Sequence, residues 1–76
     1  MDYWNYIEAK PGVMVGKPCI KGTRITVEFI LEELGGGRDM NDFLDSFPHI
    51  TEQDIRAALL FGAAAVKKDI SFALPG

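Results

Sequence analysis

The chain of 76 residues is poor in the side chains that build metal and redox chemistry: Cys19 is its one cysteine and His49 its one histidine. A single thiol cannot close an intramolecular disulfide, which fits a reducing cytoplasm. A typical zinc site needs several Cys, His or carboxylate ligands, so no metal and no cofactor are expected. Long hydrophobic runs are missing too. The longest apolar stretch, Ala57 to Val66, is too short to span a bilayer. Met1-Asp2-Tyr3-Trp4-Asn5 has neither the basic n-region nor the apolar h-region of a signal peptide. A cytoplasmic protein without a membrane partner is expected. Positive charge is also short: the net charge is −3, a poor basis for generic nucleic-acid binding, where phosphate contacts dominate affinity.

What is present describes one small globular domain. Apolar residues make up 47% and charged residues 25%, which argues against wholesale disorder. A chain of this size hides roughly 60% of its unfolded surface. Its core supplies about 3–5 kcal/mol, so a bound partner or a second copy is a natural supplement. Charge is unevenly spread. Before Glu28, four bases (Lys10, Lys17, Lys21, Arg24) outnumber two acids (Asp2, Glu8); after Arg38, six acids face three bases.

The pattern predicts a mainly α fold with a short N-terminal β-hairpin. Aromatic-rich Tyr3–Glu8 suits one strand, Lys10-Pro11-Gly12 a turn, and Val13-Met14-Val15 a second strand. Two such strands are marginal alone and must pack on helices or pair across chains. Thr26 is the predicted N-cap of a helix over Val27–Leu34, with Val27, Ile30, Leu31 and Leu34 on one apolar stripe. Gly35-Gly36-Gly37 ends it. Asp39 caps a second helix, Met40–Ser46, with Met40, Phe43, Leu44 and Phe47 on its apolar side, and Pro48 stops it. Thr51 caps a third helix, with Asp54 three residues on, running to Val66 or Lys68. The single domain thus divides into hairpin and basic loop (1–25), three-helix core (26–68) and tail (69–76). Three helices with a tight second turn are similar to a helix-turn-helix or homeodomain-like unit.

On a 100° wheel, Ile55, Leu59, Gly62, Ala63 and Val66 are assigned to the core side of the third helix, and Gln53, Arg56, Leu60 and Lys67 to another. As a recognition helix it would read adenine with Gln53 and guanine with Arg56, with Lys67 on a phosphate; as a bundle helix it carries a solvated stripe. Glu52 and Asp54 at its start oppose phosphate. Its apolar run Leu60-Phe61-Gly62-Ala63-Ala64-Ala65 better suits a protein contact. Lys17, Lys21 and Arg24 fall close enough for one positive patch, with Gly22 giving a positive φ or a close backbone approach. That patch would meet phosphate or an acidic partner, or else forms a connector with solvated lysines. Gly35-Gly36-Gly37-Arg38 lacks the P-loop ending and is a helix stop. Cys19, flanked by Lys17 and Lys21, is a candidate for a depressed thiol pKa, yet no histidine base lies nearby, so no catalytic residue is assigned. The tail alternates Ile70, Phe72 and Leu74, as an edge strand or partner-binding arm would.

Three segments, Gly16-Lys17-Pro18, Gly22-Thr23-Arg24-Ile25, and Pro48-His49-Ile50-Thr51-Glu52-Gln53-Asp54-Ile55-Arg56-Ala57-Ala58-Leu59, resemble the signature of the family known as domain of unknown function 433. The resemblance covers about Ile7 to Val66. It implies a homeodomain-like core and the role of antitoxin in a type II toxin–antitoxin pair. The implied partners are a PIN-like ribonuclease toxin, the promoter DNA and a second copy of the chain. Lys21 or Arg24, or the apolar arm Phe72 and Leu74, would then meet the toxin's acidic active site, and Leu60 and Phe61 would add partner contacts. The triple glycine departs from the family pattern. The competing expectation is a protein-interaction module, or a stand-alone DNA-binding regulator, without a toxin.

Overall fold

The computed structural model describes residues 1–69; Asp69, the first residue of the predicted tail, ends the last helix, and the rest of that tail, including Phe72 and Leu74, lies outside the described residues. Three helices, α1 (Val27–Gly35), α2 (Met40–Ser46) and α3 (Glu52–Asp69), follow an antiparallel hairpin of β1 (Ile7–Glu8) and β2 (Cys19–Ile20). In the hairpin register Ile7 faces Ile20 and Glu8 faces Cys19.

The helix starts obey the capping chemistry of the sequence. The Thr26 hydroxyl accepts from the Phe29 amide at 3.0 Å. Asp39 Oδ1 accepts from the amides of Asn41 and Asp42 at 2.8 and 3.2 Å. At α3 the exchange is reciprocal: the Thr51 amide donates to Asp54 Oδ2 (2.9 Å) and the Asp54 amide to Thr51 Oγ1 (3.2 Å). Each satisfies amides that the helix leaves unpaired.

The core gathers Ile7 and Ile20 from the hairpin, Val27 and Ile30 from α1, Phe43 from α2, and Ile50, Ile55, Ala57 and Ala58 around the start of α3. Phe43, Ile30 and Ile55 are completely buried. Where α1 meets α3 the approach is close enough that a Cβ on Gly62 would lie 2.9 Å from Leu31 Cδ1. A side chain there would displace the leucine.

Three expectations are corrected. Tyr3–Asn5 forms a 3-10 turn capped by Asp2, so β1 shrinks to Ile7–Glu8. Val13–Val15 is no strand. Met14 and Val15 adopt left-handed backbone with φ of 48° and 57°, and the second strand is Cys19–Ile20, inside the basic segment. The hairpin therefore closes within one chain. On α3, Leu59, Ala63 and Val66 face outward and Ala57 and Ala58 are buried in their place. The wheel's phase is set by Asp54, drawn inward by its cap, and by Gly62 against Leu31.

Candidate functional site

Between β2 and α1 the chain turns through Lys21, Gly22, Thr23 and Arg24. The Thr23 amide donates to the Ile20 carbonyl at 3.0 Å, closing a β-turn whose third residue, Gly22, has φ +74°. Only a residue free of Cβ crowding takes that position readily. The Thr23 hydroxyl then works in both directions, donating to the Ile20 carbonyl (2.8 Å) and accepting from the Ile25 amide (3.0 Å). Outside the turn, Glu8 Oε2 accepts from the Gly22 amide at 3.2 Å. That hydrogen bond, with help from the charges of Lys10 and Lys21, holds the Glu8 carboxyl below its ordinary pKa. The turn is thus fixed from inside and outside.

Arg24 stands on this fixed turn, exposed, where three shallow clefts meet. One cleft of about 420 Å³ runs along α1 past Met14, Ile25 and Phe29, with Glu28 and Glu32 also in its lining. A second, about 340 Å³, reaches Phe47, Pro48 and His49 in the α2–α3 turn. The third, about 310 Å³, is lined by Glu8, Lys10 and Val13. Among the described residues Arg24 makes no ion pair, whereas Lys10, Lys17, Arg38 and Arg56 all do. Met14 and Phe29 line the first cleft with it, 43% and 37% exposed, and Val15, next to Met14 in the chain, is 94% exposed. A left-handed backbone is uncommon for any residue with a side chain and a steric outlier for β-branched valine. Strain and apolar exposure thus coincide in the segment that borders the Arg24 cleft.

The remaining predicted residues are distributed differently. Lys21 shares the Arg24 turn and has no ion pair among the described residues. Lys17 is committed elsewhere: its ammonium lies 2.6 Å from Glu28 Oε1, a hydrogen bond that raises its pKa. Gln53 and Arg56 are exposed on α3, with Arg56 held 2.9 Å from Glu52. Lys67 lies eleven residues further along α3, about 16 Å at 1.5 Å per residue, so it joins neither group. It borders another cleft, about 440 Å³, with Tyr3, Trp4 and Phe61. Phe61 is half-buried there, with the rings of Tyr3 and Trp4 edge-on at 5.4 Å each. Leu60 is exposed. Cys19 is buried rather than activated: desolvation pushes its thiol pKa up, and its Sγ donates to the Lys17 carbonyl. No group of three His, Cys, Asp or Glu side chains among the described residues could hold a metal ion. No described helix is long and apolar enough to cross a membrane.

Sequence reasoning missed Met14, Val15 and Phe29. Phe29 carried a readable signal, an aromatic off the phase of the α1 stripe. The left-handed pair did not, because a β-prone triplet reads as a strand unless its partner strand is already known.

These features define a small three-helix protein with a hairpin-borne basic turn on its surface. The profile of the family described as "Protein of unknown function (DUF433)" matches residues 7–62, and the chain belongs to that family. The crystal structure of a DUF433 member protein from Anabaena variabilis is similar, with a TM-score of 0.79 and 28% identity over 84% of this chain. The matched region is 63% of that protein's chain, so this chain spans less than two thirds of its length. No functionally curated protein matches.

Proposed function

We propose that the protein is the antitoxin of a type II toxin–antitoxin pair, a binding module that presents Arg24 to the acidic active site of a PIN-like ribonuclease. The observation that carries this reading is Arg24 itself: a guanidinium without an ion pair among the described residues, on a turn fixed by hydrogen bonds, in a cleft that exposed Met14 and Phe29 also line. A cluster of metal-binding carboxylates is the complement of such a group, because guanidinium pairs with carboxylates through two parallel hydrogen bonds. Preorganisation lowers the ordering cost of binding. The apolar residues around it supply the water-excluding rim that a strong contact needs.

Promoter DNA is the second ligand of this reading. Lys21 and Arg24 are the cations at this end left for phosphate, since Lys17 and Arg56 are already neutralised. Two cations give a weak, salt-sensitive contact. Protein binding is therefore the primary activity and DNA binding the lesser one.

Co-expression with a small PIN-like ribonuclease tests the proposal. The wild-type chain should co-purify with the enzyme and silence it. Arg24→Ala should weaken the complex about 30-fold or more, the loss expected when one partner of a desolvated charge pair is removed. Unchanged inhibition by Arg24→Ala would reject the site. A gel shift on the upstream DNA at low salt, lost at moderate salt, is the expected DNA result.

A further inference from the structure

The outer face of α3 lies opposite the core and apart from the Arg24 turn. Asp54, Ile55, Ala58, Phe61 and Gly62 point inward. At 100° per residue the middle of the opposite side is traced by Glu52, Arg56, Ala63 and Lys67, with Leu59 and Leu60 flanking its midpoint. Leu59 and Leu60 are each 45% exposed and Val66 46%, in a chain that buries Ile55, Ile30 and Phe43 completely. The face is apolar in its middle and carries the Glu52–Arg56 ion pair toward one end and Lys67 at the other.

A surface of that kind is complementary to itself under a two-fold axis. Pass the axis between Leu59 and Leu60 and lay a second α3 antiparallel to the first. Leu59 then meets Leu60 of the second copy, and Glu52 meets its Lys67. Arg56 meets Ala63, where the small side chain leaves room for the arginine stem, whose guanidinium is already drawn toward Glu52 at 2.9 Å. A parallel pair would set Glu52 against Glu52 and Lys67 against Lys67. Opposed helix dipoles favour the antiparallel arrangement as well. Charge and shape therefore select one occupant and one orientation.

We propose that the outer face of α3 is an isologous dimer interface, in which two copies pair antiparallel through Leu59, Leu60 and Ala63, in a register set by Glu52 and Lys67. This inference is independent of the antitoxin reading. The Arg24 turn shares a cleft with the α2–α3 turn, near the start of α3. Antiparallel pairing therefore puts the two Arg24 turns at opposite ends of the interface, both open.

Sedimentation equilibrium of the full chain over a wide concentration range tests it, with circular dichroism as the control for folding. The wild type should reach twice its 8.4 kDa mass. Leu60→Glu should be a folded monomer at concentrations where the wild type is a dimer. Glu52→Lys and Lys67→Glu should each weaken the dimer about tenfold, and the double exchange should restore it, since only antiparallel pairing brings those positions together. A wild type that stays monomeric throughout overturns the proposal and leaves the face to another partner. A folded Leu60→Glu dimer, or a double exchange no tighter than the singles, overturns it equally.

Discussion

Arg38 and Arg24 each sit in a loop beside α1, one after it and one before it, and the protein uses them in opposite ways. Arg38 bridges the C-terminal end of α1 to α2: its guanidinium reaches Glu33 Oε1 (2.7 Å), Asp42 Oδ2 (2.9 Å) and Ser46 Oγ (2.6 Å). The same group stacks over the rings of Phe43 and Phe47 at 5.3 and 5.8 Å. Arg24 has no ion pair among the described residues and faces three clefts. A cation whose three guanidinium nitrogens are all engaged is structural; one held out on a fixed turn is available to a partner. Position in the sequence does not separate the two, and geometry does.

The comparison breaks most visibly at the Arg38 joint. Phe43 is completely buried and supplies one ring beneath the guanidinium, so Phe43→Ala should cost about 3–5 kcal/mol, read by chemical denaturation. Arg38→Ala should lower the midpoint in the same direction by a smaller, salt-dependent amount. Combined with Phe43→Ala it should be less than additive, because both substitutions remove one contact. Arg24→Ala should leave the midpoint unchanged. A matching loss at Arg24 would end the distinction between the two arginines.

On the Arg24 side the expected effect has the opposite sign. Val15 is almost fully exposed at φ 57°. A left-handed residue with a side chain costs about 1–2 kcal/mol. Glycine removes that strain but loses about 0.5–1 kcal/mol through the freer unfolded chain. Val15→Gly should therefore stabilise the fold by about 0.5–1 kcal/mol. A destabilised Val15→Gly would show that the left-handed turn is not strained.

The sequence announced the helices far better than the surface they carry. Thr26, Asp39 and Thr51 are local signals: a cap needs only its own next three residues, so the starts of all three helices were legible. The hairpin's second strand was not, because Cys19–Ile20 is defined by pairing with Ile7–Glu8 across a turn that no periodicity marks. The outward phase of α3 was hidden for another reason. The stretch Leu59–Val66 is apolar nearly all round and orients the helix poorly, so Leu59 and Ala63 look as suitable for a core as Ala57 and Ala58. Of the basic patch, Gly22 and Arg24 could be picked out, but the loss of Lys17 to Glu28 depends on a contact eleven residues away.

The smallest effect concerns the outer anchor of the Arg24 turn. Glu8 accepts from the Gly22 amide, and its pKa is lower in the folded chain than the ordinary glutamate value of 4.5. Its folded carboxyl thus binds a proton less readily than its unfolded one. The resulting stability is fully present above pH 4.5 and is lost as pH falls below that value through the folded pKa. Because the carboxylate is partly exposed and screened, the global midpoint should respond only slightly. The local response should be clearer. Amide exchange at Gly22 should quicken as Glu8 protonates, beyond the intrinsic pH trend, and Glu8→Gln should abolish that extra step. If exchange at Gly22 follows the intrinsic trend in both chains, Glu8 does not hold the turn. The fixed presentation of Arg24 would then rest on Thr23 alone.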